Sequence, residues 1–244
     1  MTTQSLAAEI RAFCSTHGDP KVIAKYSKYF REGYDAFGLS REIFEKQRDV
    51  WVQQYKDELG LAGFLALGDR LITTGKYEEA SYAITFLVPF KKEWTKETFH
   101  RAGCWLEQGI CNWAHSDVLC GEVLGPCLKE KIVKVSDLKD WRKSGSRWKR
   151  RAVPVALLAF VKMPEKIPSL LKFIRPMMLD EERVVHQGLG WFLREAWKIS
   201  PKDVEPFLMQ WKDKSARLIF QYATEKMTAK QKARFRAQKL KMED

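Results

Sequence analysis

Apolar residues recur at helical spacing along almost the whole of this 244-residue chain, and this periodicity limits its fold more than any other feature. In 184–197, for example, one helical face carries four apolar residues spaced by 4, 3 and 4 positions: Val185, Leu189, Phe192 and Ala196. Strand signals, such as sustained alternation of apolar and polar residues or Asn-Gly turns, are nearly absent. The sequence therefore predicts an all-α protein.

Short breaks rich in Gly, Pro and Ser divide the chain into candidate helices. These cover roughly 4–16, 19–30, 40–58, 60–73, 77–92, 95–109, 116–130, 136–143, 147–162, 165–175, 181–198, 201–212, 214–224 and 228–240. Such helices in antiparallel pairs suggest an α-solenoid of HEAT-like units, whose concave surface can hold a long ligand. Because no linker divides the chain, we predict one helical-repeat domain over 1–225 and a basic C-terminal helix or tail over 226–244.

The charge balance favours a polyanionic partner. Lys and Arg number 43 against 31 for Asp and Glu, which gives a formal net charge of +12. Nucleic acid is the first candidate and an anionic membrane surface the second, and we expect the concave surface to form a basic groove. No apolar run approaches the ~18–20 residues of a membrane span, and the N-terminus does not resemble a signal peptide. We therefore expect a cytoplasmic protein.

The cysteines do not predict a metal site. An odd number of cysteines without an export signal favours reduced thiols, and we expect all of them to be small core residues: Cys14, Cys104, Cys111, Cys120 and Cys127. His115 lies among them in sequence, but no C-x-x-C or H-x-x-x-H spacing supports a metal. Neither a metal nor another cofactor is expected.

A basic segment with interleaved indoles lies at 139–151. It contains a single acid, two tryptophans (Trp141 and Trp148) and seven cations: Lys139, Arg142, Lys143, Arg147, Lys149, Arg150 and Arg151. Basic residues beside aromatics, followed by an apolar helix, are typical of an edge that binds phosphates. A solvated charged surface is the alternative.

Trp191 lies away from the apolar stripe of its helix, on the side that carries Arg194. It either packs against a neighbouring helix or forms a stacking platform beside a phosphate-binding arginine. Gly188 and Gly190 remove side chains there, and we expect them to let something large come close.

The stretch "NWAHSDVLC", 112–120, places Trp113 four residues before Asp117. Ser116 is a good N-cap, so we expect Asp117 in the first turn of the next helix, where the helix dipole favours a carboxylate. Such an Asp is common and needs no function. Together with indoles and cations, however, it is suited to stabilise a cationic sugar.

Three segments resemble those of the AlkC/AlkD-type DNA glycosylases, which are helical-repeat enzymes. "NWAHSD" matches the family's Trp and Asp four residues apart, at Trp113 and Asp117. "WKRRAVPVAL" matches the segment that carries the family's arginine, here Arg151. "QGLGWFLREAW" matches the helix that carries its Trp and its phosphate-contacting Arg, here Trp191 and Arg194.

The resemblance implies an alkylpurine DNA glycosylase that hydrolyses the N-glycosidic bond of cationic N3- and N7-alkylated purines in duplex DNA. No Lys is evidently placed as a Schiff-base nucleophile, so we expect a monofunctional enzyme. Because a lesion is a non-palindromic target, we expect a monomer. Asp117 then supplies negative charge and orients the water, while Trp113 and Trp191 contact the deoxyribose. The DNA backbone is held by Arg147, Lys149, Arg150, Arg151 and Arg194, and by Lys28 from the weaker N-terminal match "YSKYFREGYDAFGLS".

Ala114 stands where the family often has a second acid, directly after the Trp. This difference keeps one alternative to the enzyme open, and a scaffold for proteins is a second alternative. A non-catalytic helical-repeat DNA-binding protein binds DNA tightly and releases no base. A protein–protein scaffold binds DNA weakly despite the net charge.

Overall fold

Every regular element in the computed structural model, which describes residues 1–237, is helical. The predicted all-α class is thereby confirmed. The chain packs as two compact units, of which the first comprises Met1–Val133 and the second begins at Lys134. No helix in this range is long and apolar enough to cross a membrane. The concave basic groove stays a prediction, as do the boundaries of 1–225 and 226–244.

The first unit contains seven α-helices, one 3₁₀ segment at Val88–Glu93 and one π-helical turn at Cys120–Leu124. The α-helices are α1 (Thr3–His17), α2 (Pro20–Ser27), α3 (Arg41–Ile72), α4 (Tyr77–Thr85), α5 (Lys96–Gln108), α6 (Trp113–Leu119) and α7 (Gly125–Lys129). Gly60 interrupts α3 with φ 55° and ψ −174°, a conformation that glycine favours. This break agrees with the two helices predicted at 40–58 and 60–73.

The second unit begins with 3₁₀ turns at Val135–Leu138 and Asp140–Lys143, where one helix over 136–143 was expected. Its α-helices are α8 (Arg147–Ala156), α9 (Ile167–Ile174), α10 (Arg183–Ile199), α11 (Pro201–Trp211), α12 (Arg217–Ala223) and α13 (Ala229–Ala233). Further 3₁₀ turns lie at Leu157–Phe160, Pro164–Lys166 and Arg175–Leu179. The predicted helix 228–240 and the basic terminal stretch extend beyond the described residues.

Helix α8 ends at Ala156, earlier than the predicted 147–162. Pro154 lies inside it and has no N–H, so it cannot donate the i→i−4 hydrogen bond to Arg150. The chain continues as a 3₁₀ turn at Leu157–Phe160. The α-helix ends two residues after Pro154, and its first half carries the cationic residues.

Helix α3 packs against α1, α4 and α5 and forms the centre of the first unit. Trp51 is 1% exposed and meets Tyr82 edge to face, with 5.2 Å between ring centroids. Phe64 packs on Phe86 at 5.1 Å. Each such aromatic pair adds about 0.5–1.5 kcal/mol beyond the burial of its area. This core fixes α4, against which the candidate site is built.

Glu78, a buried residue in the first turn of α4, holds the chain that precedes α3. Its Oε1 accepts from the backbone N–H groups of Gly38 at 2.7 Å and Leu39 at 3.1 Å. Its Oε2 accepts from the N–H of Phe37 at 2.9 Å. Hydrogen bonds to a charged group stabilise by about 1.5–3 kcal/mol each. The loop before α3, which contacts the candidate site, is therefore anchored to the core.

In the second unit, α10 packs against α8 and α12. The predicted stripe is confirmed, since all four of its residues are fully buried: Val185, Leu189, Phe192 and Ala196. The expectation that Gly188 and Gly190 admit a large ligand is wrong. A Cβ on Gly188 would lie 3.3 Å from Cγ of Arg151 in α8, and one on Gly190 would lie 2.4 Å from Cβ of Tyr222 in α12. Neighbouring helices already occupy the space.

All five cysteines are free thiols, but they are not all buried as expected. Cys14, Cys120 and Cys127 are buried, whereas Cys104 is half-buried and Cys111 is exposed. Cys111 lies outside because α5 has already ended at Gln108. Burial raises the pKa of Cys14 and of Cys127 to about 12, so both thiols stay protonated near neutral pH.

Candidate nucleic-acid interface

Helix α6 begins at Trp113, three residues earlier than predicted. Asn112 is the N-cap, and its Oδ1 accepts from the backbone N–H of His115 at 2.9 Å. Ser116, the expected N-cap, is buried within the helix. The prediction was wrong because Asn and Ser cap helices about equally well, and the contacts that favour Asn112 come from α4. Asp117 consequently lies in the second turn of α6.

His115 ties α6 to α4. Its Nε2 lies 3.0 Å from the backbone oxygen of Tyr77 and 3.0 Å from Oγ of Ser81. Its Nδ1 lies 2.8 Å from Nδ2 of Asn112. The amide donates to Nδ1, so the ring carries its proton on Nε2 and donates from there to Tyr77. The direction of the helix that carries Trp113 is thus fixed by a neutral imidazole.

Burial lowers the pKa of His115 to about 4. An unfolded histidine has a pKa of about 6.5, so between these values only the unfolded chain takes up the proton. The resulting stability is present above about pH 6.5 and is lost as the pH falls towards 4. We expect the contribution of His115 to lower the free energy of unfolding by about 2 kcal/mol between pH 7 and pH 5.

Urea unfolding of His115→Gln at both pH values checks this expectation. Gln is neutral throughout, so the variant should lack this share of the pH dependence. His100→Gln removes an exposed histidine and should behave as the wild type. If His115→Gln loses as much stability on acidification as the wild type, the imidazole does not titrate as described.

Trp113 and Asp117 lie one turn apart on the same face of α6. Trp113 is 39% exposed, and Asp117 is half-buried. The indole is nevertheless held in place: its Nε1 donates to the backbone oxygen of Tyr29 at 3.1 Å, and its ring stacks on Phe30 at 5.7 Å and 15°. An exposed but oriented indole next to a carboxylate is suited to contact a ligand.

Lys28, at the C-terminal end of α2, is exposed and belongs to the same part of the first unit. Its Nζ lies 5.2 Å from the ring centroid of Tyr29, whose backbone oxygen accepts from Trp113. The structure therefore brings Lys28 and Trp113 into contact with the same residue.

The basic segment of the second unit packs on its own indoles. Trp141 and Trp148 are buried. Nζ of Lys149 lies 5.1 Å from the centroid of Trp141, and the guanidinium of Arg147 lies 5.3 Å from that of Trp148. Arg147 also meets Glu182 at 3.8 Å, with both side chains about two-fifths exposed. The side chain of Arg147 therefore stays accessible to a ligand.

Arg150 and Arg151 have deeper positions. Nε of Arg150 donates to Oδ2 of Asp180 at 2.7 Å, and its Nη1 donates to the backbone oxygen of Ser144 at 2.7 Å. Arg151 is 5% exposed, and its Nη1 donates to the backbone oxygen of Val184 at 2.7 Å. Arg151 thereby links α8 to the first turn of α10.

Trp191 and Arg194 are both half-buried on α10. Nε of Arg194 donates to Oε1 of Glu195 at 3.1 Å, and its Nη1 pairs with Glu225. Gln187, one turn before Trp191, donates to the hydroxyl of Tyr222 at 2.8 Å. This face of α10 thus carries an indole beside an acid-paired guanidinium.

The predicted site residues divide between the two units. Lys28, Trp113 and Asp117 belong to the first. The second contains the other six: Arg147, Lys149, Arg150, Arg151, Trp191 and Arg194. Within residues 1–237, no group of three His, Cys, Asp or Glu side chains is placed to hold a metal ion.

Sequence reasoning missed the aromatic residues around Trp113. Phe30 stacks on Tyr34 at 4.6 Å, and Tyr77 stacks on His115 at 4.4 Å. The available signal was the density of rings in "YSKYFREGY". The part of that segment after α2 lacks helical periodicity, so no pattern there predicts which rings face α6.

Comparison with known proteins gives a consistent result. The sequence model of the family described as "DNA alkylation repair enzyme" matches residues 10–227. A predicted DNA alkylation repair enzyme from Enterococcus faecalis has a similar structure, with a TM-score of 0.70 at 16% identity over 87% of this chain and 98% of that one. AlkD2 from Streptococcus mutans gives 0.59 at 21% identity over 86% and 99%.

Because the sequence identities are low, the likeness to these solved structures shows the fold alone. No curated protein sequence matches the chain. The family match covers most of the chain and all nine predicted site residues. The chain belongs to the DNA alkylation repair enzyme family.

Proposed function

We propose that this DNA alkylation repair protein is a monofunctional glycosylase that hydrolyses the N-glycosidic bond of cationic N3- and N7-alkylated purines in duplex DNA. The observation that carries the proposal is the pair on α6. There an exposed, oriented indole, Trp113, lies one turn before the carboxylate of Asp117. The net charge of +12 supports a DNA substrate.

Hydrolysis of this glycosidic bond needs a carboxylate but no general acid. Alkylation leaves the purine positively charged, so the base departs with the electron pair of the glycosidic bond and becomes neutral. The sugar becomes oxocarbenium-like, and a negative charge held beside it lowers the barrier. Asp117 supplies that charge and orients the water that adds to the anomeric carbon, while the water's proton passes to solvent. Trp113 contacts the deoxyribose.

The second unit contributes to DNA binding in this proposal. Arg147 and Lys149 are its proposed phosphate contacts: the side chain of Arg147 is about two-fifths exposed, and Nζ of Lys149 lies 5.1 Å from the centroid of Trp141. Arg150, Arg151 and Arg194 donate hydrogen bonds to protein acceptors. Through these bonds they orient α8 and α10, and they also add positive charge. Trp191 contacts the deoxyribose, Lys28 of the first unit contacts the backbone, and the protein acts as a monomer.

Arg147→Gln and Lys149→Gln should each reduce the salt dependence of DNA binding. A cation that neutralises one phosphate adds about 0.9 to the slope of log K against log salt concentration. We expect each variant to lower the slope by about that amount for any duplex sequence, as measured by fluorescence anisotropy. Lys202→Gln removes an exposed lysine of α11 as the control. An unaltered slope in both variants would exclude these two contacts.

Two lesions distinguish the proposed chemistry from other repair activities. A duplex with 7-methylguanine should lose the base, because that base is cationic. A duplex with O6-methylguanine, which is neutral, should keep it. The strand should remain unbroken at the abasic site, since water is the nucleophile. Release of both bases, or strand cleavage by the protein, would contradict the proposal.

A further inference from the structure

The stretch 226–237, which contains α13, carries positive charge that the proposed function does not use. It has no acid and five cations: Lys226, Lys230, Lys232, Arg234 and Arg236. Like charges held close together repel one another, so the fold gains no stability from this arrangement by itself. A negatively charged partner would remove the repulsion.

This stretch is packed on the second unit. Phe235 is 1% exposed, and its backbone oxygen accepts from Nη1 of Arg217 in α12 at 3.0 Å. Met227 is buried as well. At the start of α13, the backbone N–H of Gln231 donates to Oγ1 of Thr228 at 3.3 Å, and the N–H of Thr228 donates to Oε1 of Gln231 at 2.9 Å. The cations of this stretch therefore belong to a folded element.

Two of the five cations are paired with acids of neighbouring helices. Nζ of Lys226 lies 2.9 Å from Oε1 of Glu225, and Nη1 of Arg234 lies 2.6 Å from Oε2 of Glu205. The other three are exposed, and no ion pair within residues 1–237 involves them. These three residues form what we call the α13 surface: Lys230, Lys232 and Arg236.

The α13 surface is linked to the proposed DNA interface of α10 through one carboxylate. Glu225 pairs with Arg194, the proposed phosphate contact of α10, and also with Lys226. Helix α12, which ends shortly before Glu225, packs along α10. The α13 surface and Arg194 therefore belong to the same part of the second unit, and a polyanion bound at α10 extends towards either.

The composition of the stretch distinguishes between two polyanions. Protein segments that lie on an anionic membrane combine cations with exposed apolar side chains, which insert between the lipids. The large apolar residues of 226–237 are Met227 and Phe235, and both are buried. The α13 surface offers cations without an apolar face, which suits the phosphate backbone of a nucleic acid.

We propose that Lys230, Lys232 and Arg236 bind backbone phosphates of duplex DNA, in addition to those bound through α8 and α10. This inference rests on the DNA interface of the proposed function and extends it, but it does not depend on the chemistry at Asp117. Phosphate contacts carry no sequence information. The α13 surface therefore strengthens binding to any duplex, damaged or not.

The test is the salt dependence of binding to an undamaged duplex, measured by fluorescence anisotropy with the full-length protein. In one variant all three residues are replaced: Lys230→Gln, Lys232→Gln and Arg236→Gln. Three lost phosphate contacts should lower the slope of log K against log salt concentration by about 2.7. When the salt concentration rises fourfold, the wild type should then lose about 40-fold more affinity than the variant. An unchanged slope would overturn the inference.

A matched control separates local contacts from net charge. It replaces three other exposed lysines of the second unit: Lys162→Gln, Lys172→Gln and Lys202→Gln. Both triple variants lose the same charge, and both should keep the stability of the wild type in urea unfolding, because the replaced side chains are exposed. We expect the control to keep the slope of the wild type. An equal fall in both variants would mean that net charge, and not the α13 surface, sets the slope, which overturns the inference.

Vesicles of phosphatidylserine and phosphatidylcholine test the other polyanion. We expect the α13 variant to bind them no more weakly than the control variant does. If the α13 variant loses vesicle binding and keeps the slope for DNA, the α13 surface binds lipid headgroups and the inference is overturned.

The wild type is also assayed for base release from methylated duplex DNA. If the slope falls as expected in the α13 variant and the wild type releases no base, the proposed glycosylase activity fails and the α13 surface stands. If the wild type releases base and the slope is unchanged in the α13 variant, the α13 surface fails and the proposed activity stands.

Discussion

The Asp117→Asn variant is expected to release alkylated purines about 10²–10³-fold more slowly than the wild type, the effect of removing one preorganised electrostatic group. Asn has nearly the shape of Asp, so α6 and its contacts to α4 are preserved. It lacks the charge that stabilises the oxocarbenium-like sugar. DNA binding should stay near that of the wild type, because the proposed phosphate contacts are cations elsewhere in the chain.

The measurement is the single-turnover rate of 7-methylguanine release at saturating protein, with anisotropy as the measure of DNA affinity. Asp57→Asn, which removes the same charge from an exposed position of α3, is the matched control and should retain the full rate. An unchanged rate in Asp117→Asn would remove this carboxylate from the mechanism.

Gly190→Ala is expected to have the largest effect on stability, a loss of about 3 kcal/mol in the free energy of unfolding. The added Cβ would lie 2.4 Å from Cβ of Tyr222 and 2.8 Å from the backbone oxygen of Ile219. Neither atom is the end of a flexible chain, so α10 and α12 must move apart. The second unit loses packing along the helix that carries Trp191.

Gly188→Ala, two residues away on the same helix, is the matched control. There the nearest atoms lie at 3.3 and 3.4 Å and belong to Arg151 and Pro154, so a small shift accommodates the methyl group. Alanine also gains about 1 kcal/mol in helix propensity over glycine, which offsets the contact. We expect this variant to stay within about 1 kcal/mol of the wild type in urea unfolding. Similar losses in both variants would contradict the described packing of α10 and α12.

The fold class was predictable because helical periodicity is a local property. The stripe of α10 from Val185 to Ala196 is fully buried, and α10 itself begins and ends within two residues of the predicted 181–198. The break at Gly60 was also predictable, since glycine punctuates two periodic segments there.

The start of α6 was not predictable, because the deciding contacts are distant in sequence. Asn112 and Ser116 are equivalent as local capping signals. The choice depends on His115, which bonds to Tyr77, 38 residues away in the chain. The prediction that Gly188 and Gly190 admit a ligand was wrong for a related reason. A missing side chain indicates a close approach, but the sequence does not say whether a ligand or a helix makes it.

The sequence also did not predict which residues hold Trp113 in place, because they are distant from it in the chain. Its partners Tyr29 and Phe30 follow α2 in a segment without periodicity, 84 residues from Trp113 in the case of the hydrogen bond. The family motif pairs Trp113 with Asp117 four residues later, and the structure places both on one face of α6. Only the structure shows which residues orient that pair.

The most direct test of the proposed glycosylase activity is the rate at which the wild-type protein releases 7-methylguanine and 3-methyladenine from methylated duplex DNA, compared with their spontaneous loss in buffer. We expect release far above the spontaneous rate, with the abasic strand left intact. DNA that is bound by the protein but keeps its alkylated bases for as long as DNA in buffer would contradict it, and would make the α6 pair part of a binding surface.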